Sequence, residues 1–393
     1  ITNPELFNLG DSTSATQLPV MTTTQRIAMT GLSDGEMIFN STTDKVEYWD
    51  GTKWYGITYE VAAETPYNNV LYTGTGVSNP ITGVGFQPDL VWIKRRTNAT
   101  ADHYIVDTVR GNGSNTYKNL ASNETQAEGT TTSSGITNST IVDGGFTMQG
   151  TGARTNASGS TYVAWCFKAG GAAVANTDGT VASQVSANVA GGFSIVSWSG
   201  NSVSPSTVGH GLGVAPELFI IKNLSSAVNW SVYNSSVGAG NKLQLNSSNQ
   251  ASATSNYANT SPTSSVFSLS GGNEVNGSGS NYIAYCFHSV PGYSKVGSFV
   301  GNGLTTGGPV INFGFEPSWI MIKSTSFAER WAIYDNKRST SNPRSKVLTA
   351  NSDATEIDTF YYDINFTATG FTVNGTAAFT NRSGESYTYL AFA

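Results

Sequence analysis

The stretch GFQPDLVWIK at residues 85–94 recurs twice in this chain of 393 residues, as GVAPELFIIK at 213–222 and as GFEPSWIMIK at 314–323. Each copy places a proline before a short apolar run that ends in lysine. Short runs of β-branched and aromatic residues predict buried strands. A spacing on the order of 100 residues is too long for a solenoid unit and fits a small domain with a core of its own. The repeat therefore predicts a series of similar domains.

Further signals recur at matching distances from this signature. The next predicted strand carries HYIVD at 103–107, WSVYN at 230–234 and WAIYD at 331–335. A closing strand reads YVAWCF at 162–167, YIAYCF at 282–287 and YTYLAF at 387–392. Because alternate side chains of a strand face opposite ways, the first closing strand has one face of Tyr162, Ala164 and Cys166 and another of Val163, Trp165 and Phe167. Both faces are apolar, which is typical of a strand buried between two layers.

An Asn-x-Ser-Gly element precedes each closing strand. Its asparagine lies six residues before the tyrosine of the strand in all three copies, at Asn156, Asn276 and Asn381. The element matches a glycosylation sequon, but sequons arise by chance in a chain so rich in Asn, Ser and Thr. We interpret it as a turn in which glycine supplies a positive φ and the polar side chains bind local backbone groups. The glycines in question are Gly159, Gly279 and Gly384.

The composition favours an all-β protein. Only 12% of residues are charged, and the chain has 43 Gly, 18 Tyr and 18 Phe. No stretch shows a sustained helical period, and no apolar run is long enough to predict a membrane span. A net charge of −6 argues against a protein that binds nucleic acid through phosphates. Residues 1–17 are polar, unlike a signal peptide, and since the chain begins with Ile1 we expect a segment upstream of this sequence.

We predict one small N-terminal segment and three larger domains. In residues 1–58, strands at 37–39, 46–49 and 54–57 with a turn at Asp50-Gly51 form a β-meander. Such a meander is too small to be stable alone, so we expect it to associate with copies from other chains as a homotrimer. The predicted β-sandwich or jelly-roll-like domains span 68–170, 190–290 and 291–393, with a linker at 171–189.

Both cysteines occupy equivalent positions in different domains. Cys166 and Cys286 sit at the same place in their closing strands, where the third copy has Ala391. Equivalent sites in separate domains rarely approach within the ~6 Å between Cα atoms that a disulfide needs. We predict two buried free thiols.

Two long segments resemble modules of phage proteins. The PDLVWIK, YVAWCFKAGG and YIAYCF motifs, with the intervening stretch at 170–201, resemble a repeated domain of unknown function found in tail-fibre-like and other virion proteins of marine phages, including those of cyanobacteria and pelagic bacteria. The segment at 18–54, LPVMTTTQ to DGTKW, is similar to a connector module of phage fibre proteins. The resemblance implies a β-rich, trimeric virion appendage. It implies no catalytic residue.

The residues suited to catalysis or metal binding form no recognisable constellation in the sequence. His103, His210 and His288 are far apart, and His103 aligns with tryptophans of the other copies, which predicts a structural position. Glycan hydrolysis needs a pair of carboxylates about 5–10 Å apart, and the acidic pairs on or near predicted strands are Asp102/Asp107 and Asp358/Asp363. Asp107 aligns with Asn234 and Asp335, which indicates a strand-end role rather than a catalytic one. We therefore expect no enzyme activity, no cofactor and no metal site.

Basic and aromatic residues of the third domain are the candidates for ligand binding. Lys94, Lys222 and Lys323 end apolar strands, and we expect their ammonium groups to reach solvent there. A second group of basic residues, at 337–346, lies on a predicted loop near Phe360-Tyr-Tyr362. Arginine next to exposed aromatics suits anionic sugars or lipopolysaccharide phosphates. The predicted binding residues are Arg338, Arg344, Lys346 and Tyr361, with Tyr361 facing away from Phe360 and Tyr362 on a strand.

These features favour a structural, adhesive virion protein. The leading hypothesis is a non-enzymatic tail fibre that contacts host-surface polysaccharide or lipopolysaccharide through its distal domain and other virion proteins through its N-terminal region. A fibre or decoration protein attached to the capsid would have the same repeats and composition. A tailspike that cleaves glycans is the third hypothesis. All three place the protein on the virion, outside the cell.

Overall fold

A computed structural model describes residues 18–43, 45–57, 66–111, 117–131 and 134–393. The chain divides into two compact units, Ile1–Glu64 and Thr65–Ala393. Nearly all regular structure is β-strand, as the sequence predicts.

The first unit is a small four-stranded sheet with one short helix. Thr22 and Gln25 form a capping box at the start of the helix. The first strand pairs in parallel with the second, and the remaining pairs are antiparallel. The elements are β1 (Val20–Met21), α1 (Thr23–Ile27), β2 (Met37–Asn40), β3 (Lys45–Trp49) and β4 (Trp54–Ile57). The predicted meander is confirmed, with Gly51 at a φ of 88° in the predicted turn.

The first repeat of the second unit is a sandwich of a four-stranded and a three-stranded sheet. The sheets have the orders β5-β13-β7-β8 and β11-β12-β6. A separate ribbon pairs β9 with β10. The strands are β5 (Tyr67–Thr73), β6 (Asn79–Ile81), β7 (Leu90–Arg95), β8 (Tyr104–Asp107), β9 (Tyr117–Asn119), β10 (Gly129–Thr131), β11 (Ile141–Val142), β12 (Gly145–Met148) and β13 (Thr161–Phe167), with a 3₁₀ turn at Asn138–Thr140.

The predicted linker at 171–189 is in large part a β-hairpin that belongs to the second repeat. Its strands extend an eight-stranded sheet of order β14-β15-β16-β23-β18-β19-β20-β21, which packs on the pair β17-β22. The strands are β14 (Val174–Asn176), β15 (Ser183–Asn188), β16 (Phe193–Ser199), β17 (Ser206–Gly209), β18 (Leu218–Asn223), β19 (Ser231–Asn234), β20 (Asn241–Gln244), β21 (Ser252–Ala253), β22 (Val266–Leu269) and β23 (Asn281–Phe287).

The third repeat has a six-stranded and a three-stranded sheet, of orders β24-β32-β26-β27-β28-β29 and β25-β31-β30. The elements are β24 (Ser294–Val300), β25 (Val310–Asn312), β26 (Trp319–Ser324), β27 (Ala332–Asp335), β28 (Lys346–Thr349), β29 (Ile357–Asp358), β30 (Ile364–Thr367), β31 (Gly370–Val373), α2 (Ala378–Asn381) and β32 (Ser386–Phe392), with a 3₁₀ turn at Phe360–Tyr362.

Equivalent sequence signals occupy equivalent positions in the three sheets. Each closing strand pairs antiparallel with two strands, one of which carries the proline signature: β13 lies between β5 and β7, β23 between β16 and β18, and β32 between β24 and β26. The signature prolines all lie two residues before their strands, and the turn glycines have φ of 74°, 75° and 79°. The predicted structural equivalence of the repeats is confirmed.

Each repeat has a private hydrophobic core, and all three share another. Tyr162, Ala164 and Cys166 face the private core of the first repeat. The opposite face of the same strand, with Val163, Trp165 and Phe167, enters a cluster that also contains Phe287 of the second repeat and Phe392 of the third. The two apolar faces predicted for the closing strand are thus explained by two different cores. The repeats form one compact unit around the shared core.

Both cysteines are buried and free, as predicted. Burial raises the pKa of the Cys166 and Cys286 thiols above their usual value. No helix in the described part of the chain is long and apolar enough to cross a membrane.

Candidate ligand-binding clefts and the frame that holds them

The three signature lysines are buried at the contacts between repeats. Lys94, Lys222 and Lys323 each have 0% exposure, so the expectation that their ammonium groups reach solvent is wrong. Each Nζ donates to a backbone carbonyl of another repeat: Lys94 to Asp353 O at 3.0 Å, Lys222 to Thr125 O at 3.0 Å and Lys323 to Ser248 O at 3.3 Å. The first repeat thus binds the third, the second binds the first, and the third binds the second.

The strand that follows the signature makes a second ring of contacts in the same cyclic order. Trp230 Nε1 donates to Ala121 O at 3.0 Å, and Trp331 Nε1 donates to Gln244 O at 2.9 Å. At the equivalent position, His103 Nε2 lies 3.0 Å from Thr349 O while His103 Nδ1 accepts from Trp92 Nε1 at 2.8 Å. Burial lowers the pKa of His103 well below its usual value, and the Nδ1 acceptor leaves Nε2 as the donor. The predicted structural role of His103 is confirmed.

Arg338, predicted to bind ligand, is instead part of a buried ion-pair network. Its side chain has no solvent exposure and pairs with Asp335, while Nη1 lies 3.3 Å from Glu356. Asp335 also accepts from Trp165 Nε1 of the first repeat at 3.1 Å. Because all of its nearby acceptors are internal, the Arg338 guanidinium is not accessible to a surface ligand.

The same network recurs at one other contact between repeats and is replaced at the third. Arg110 pairs with Asp107 at 2.5 Å and with Glu128 at 3.1 Å, and Tyr285 donates to Asp107 at 2.8 Å. The third contact replaces the aspartate with Asn234, the arginine with Val237 and the facing donor with Leu390. At each contact, the aspartate, the arginine and the side chain of the neighbouring repeat that donates to the aspartate are therefore either all present or all replaced.

Arg344 and Lys346 also serve the fold. Arg344 is 5% exposed, lies 4.5 Å from the centroid of the Phe366 ring and donates to Ser339 O. Lys346 is a half-buried strand residue of β28. The exposed basic loop predicted from the sequence is therefore not formed by these residues.

Tyr361 is exposed, as the sequence predicts, but it lies on a 3₁₀ turn and not on a strand. It is 53% exposed and Phe360 is 67% exposed, and their ring centroids are 4.1 Å apart. Tyr362 turns the other way and packs on Phe379 with ring centroids 4.4 Å apart. The two exposed rings form a small aromatic platform at the surface of the third repeat.

A cleft of about 380 Å³ adjoins this platform. Glu329 and exposed Arg330 contribute charge, Tyr361 contributes a ring, and the turn at 376–379 forms one wall. Sequence reasoning missed Glu329 and Arg330, because they lie 32 and 31 positions from Tyr361 and carry no motif that links them to it. The cleft combines an aromatic surface with a cationic donor and an anionic acceptor.

A cleft of about 390 Å³ occupies the equivalent place in the first repeat. Its wall contains Ala153, three residues before Asn156, just as Ala378 lies three residues before Asn381. The next position carries Arg154 in the first repeat, Glu274 in the second and Phe379 in the third. The scaffold therefore holds chemically different side chains at one position beside a surface depression.

The asparagine of each Asn-x-Ser-Gly element holds this wall in place. Asn381 is fully buried; its Nδ2 donates to Leu304 O and Gly375 O at 3.0 Å, and its Oδ1 accepts from Asn302 N at 2.9 Å. Asn156 and Asn276 make comparable contacts in their repeats. The asparagines belong to a buried turn, as the turn interpretation requires.

The other candidate groups remain dispersed. Among the residues that the structure describes, no three His, Cys, Asp or Glu side chains come together as a possible metal site. Asp102 pairs with Arg154, and Asp358 accepts from Ser345 Oγ.

Two family models match this chain. Residues 64–393 match a domain of unknown function, DUF7483. The chain belongs to this family. Residues 3–75 match a phage tail-like trimerisation region. Neither a curated protein nor a solved structure matches the chain. The trimerisation match indicates a virion-associated structural protein of the phage tail-fibre type that self-associates as a trimer.

Proposed function

We propose that this protein is a receptor-binding tail fibre that adheres, without catalysis, to polysaccharide or lipopolysaccharide on the host surface. The aromatic platform of Phe360 and Tyr361 beside the charged cleft is the observation that carries the proposal. Contiguous exposed apolar side chains rimmed by polar groups are a feature of ligand-binding grooves. Recognition residues are commonly displayed on loops held by a rigid scaffold.

The chemistry of the cleft suits a sugar. The flat rings of Phe360 and Tyr361 offer an apolar surface to the C–H faces of a pyranose, and the Tyr361 hydroxyl adds a hydrogen-bonding group. Arg330 can bind a carboxylate or phosphate substituent, and Glu329 can accept from hydroxyls. A trimer carries three such clefts, so weak binding at each is multiplied on a surface that displays many glycans.

The platform is tested by removing its rings. We expect Phe360→Ala and Tyr361→Ala, made together in the full-length trimer, to abolish detectable binding to a panel of immobilised bacterial lipopolysaccharides and capsular polysaccharides. The resemblance to fibre proteins of marine phages directs that panel towards marine bacteria. Leu304→Ala is the matched control, since Leu304 is 52% exposed in the same repeat and does not line the cleft. Equal binding by both variants would refute the proposed site.

The charge of the cleft is tested separately. Arg330→Ser is expected to weaken binding to anionic glycans more at low salt than at high salt, because exposed charges are least screened there. Labelling with antibodies in virion micrographs tests the location. Label along the tail supports the proposal, whereas label confined to the capsid favours the alternative of a head fibre.

A further inference from the structure

In the part of the chain that the structure describes, one strand position has a paired outer edge in the second repeat and an unpaired outer edge in the other two. One strand of each large sheet occupies the same place: β5, β16 and β24 all pair with the closing strand of their repeat, on the side away from the signature strand. In the second repeat, β15 of the hairpin covers the other edge of β16. Among the described residues, β5 and β24 are the last strands of their sheets. Unpaired sheet edges readily add another strand.

The hairpin also closes a groove at the side of the second repeat. Val181 bridges to Val208 of β17, and Val185 pairs with Val196 of β16, so the hairpin spans both sheets of the sandwich. As a result Trp198 is only 4% exposed, within a cluster that includes both hairpin valines. The hairpin therefore shows which kind of segment fits this edge: a strand with alternating apolar side chains.

The equivalent grooves of the first and third repeats are open. Tyr72 and Phe299 occupy the position of Trp198 and stack on their closing-strand tyrosines with ring centroids 5.1 Å apart, yet both remain half-buried. Apolar side chains at these edges are exposed: Leu71 at 41%, Val300 at 58% and Val310 at 64%. The two edges are apolar, adjacent to aromatic rings and available to another chain.

The trimerisation match favours a second copy of this protein as the occupant. That match extends through residue 75 and so includes β5 entirely. In a ring of three identical chains, each chain contacts two neighbours through two different surfaces. The chain offers two equivalent open edges, and its hairpin closes the third.

We infer that the β5 edge of one copy packs along the β24 edge of the next copy, so that three chains close a ring. The contact involves residues 70–73 of one chain and 297–300 of its neighbour. It continues the large sheets across the subunit boundary, as the hairpin does within the second repeat. The inference concerns assembly and does not depend on glycan binding.

Engineered disulfides test the inference in the full-length protein. Side chains at 71, 298 and 300 lie on the same face of equivalent strands. We expect oxidation of Leu71→Cys/Ser298→Cys or Leu71→Cys/Val300→Cys to link chains up to three times the 41.4 kDa chain mass on a non-reducing gel. The native thiols are fully buried and should not compete.

Two controls make the result decisive. Leu71→Cys alone should not form linked chains, because in the proposed heterologous contact residue 71 of one copy faces residues 298–300 of the next and not its residue 71. Leu71→Cys/Val203→Cys should not do so either, since Val203 is an exposed valine of the second repeat away from the open edges. Linkage in either control, or no linkage in both edge pairs, would overturn the inference. Independently, Leu71→Lys should shift the protein from trimer towards monomer in light scattering, whereas Val203→Lys should not.

Discussion

Single residues at the contacts between repeats form buried networks that stabilise the second unit. Arg338 is the clearest case, because Asp335 depends on it inside a buried network. Removing one partner of a buried ion pair costs about 3–5 kcal/mol, since the other charge is left without compensation. We expect Arg338→Ala to lower the free energy of unfolding by about that amount in denaturant titrations.

The neighbouring Lys337 provides the matched control. It is exposed, and its replacement with alanine should change the free energy of unfolding by less than about 0.5 kcal/mol. If Arg338→Ala were as stable as Lys337→Ala but lost glycan binding, the sequence-based assignment of Arg338 to a ligand site would be restored.

The buried lysines predict a dependence of stability on pH. Burial lowers the pKa of Lys94 and Lys222 to about 8 and that of Lys323 to about 7, from a usual value of 10.5. Between pH 7 and 10.5 the unfolded chain binds more protons at these positions than the folded chain does. Stability contributed by the lysines therefore rises with pH in that window, and it becomes constant about one pH unit below the folded-state pKa values, where both states are protonated.

Denaturant titrations from pH 7 to pH 10 measure this effect. In Lys323→Met, which keeps the unbranched apolar stem, the rise of unfolding free energy with pH should be smaller than in the unchanged protein. An exposed lysine, Lys337→Met, should leave the slope unchanged. An identical slope in all three proteins would contradict the burial of the Lys323 ammonium group.

At the level of elements, the hairpin at 174–188 stabilises the second repeat because Val185 packs into the private core of that repeat. Val185 is 3% exposed within the private core, whereas Val174 on the partner strand is 65% exposed. Removal of two buried methyl groups costs about 2 kcal/mol, so Val185→Ala should destabilise the protein by that amount in thermal or chemical unfolding. Val174→Ala should have little effect. Equal effects would mean that the hairpin does not cover the groove.

The elements that could be predicted from sequence are those fixed by local signals. A proline before an apolar run located β7, β18 and β26, and Gly159, Gly279 and Gly384 located turns that need a positive φ. The alternation in the closing strand correctly identified its two buried faces. Each of these signals acts within about ten residues, where hydrophobic periodicity and turn chemistry are informative.

The elements that could not be predicted depend on distant partners. In the sequence, Lys94 has the position of a strand-end residue that reaches solvent. In the structure, its Nζ donates to Asp353 O, 259 positions away. The basic cluster was predicted to lie on a solvated loop, whereas Arg338 is buried and pairs with Asp335 and Glu356. The cleft was found only in part, since Tyr361 was predicted as exposed while Glu329 and Arg330 were not associated with it. Apart from Asp335, which is three residues from Arg338, these partners lie 18 or more positions away in sequence.

The whole second unit combines three private cores with one shared core. Trp165, Phe287 and Phe392 come from different repeats and lie in the same buried cluster. The lysine and tryptophan contacts connect each repeat to the next in one cyclic order. Each repeat therefore depends on both others for part of its buried surface, which predicts one cooperative unit.

Cooperativity of this kind predicts that a destabilising substitution in one repeat lowers the stability of all three. Trp165 is fully buried in the first repeat and contacts the third through Asp335. Its replacement with alanine should cost about 3–5 kcal/mol. In native-state hydrogen exchange, the most protected amides of β7, β18 and β26 should then lose protection by the same free energy, because all three open only in global unfolding.

A second variant places the damage away from the shared core. Tyr104 lies in the private core of the first repeat, and if the unit is cooperative, Tyr104→Ala should also lower the protection of β7, β18 and β26 by one common free energy. Loss of protection confined to β7 in either variant would show that the repeats unfold independently and that the shared core joins three separately stable domains.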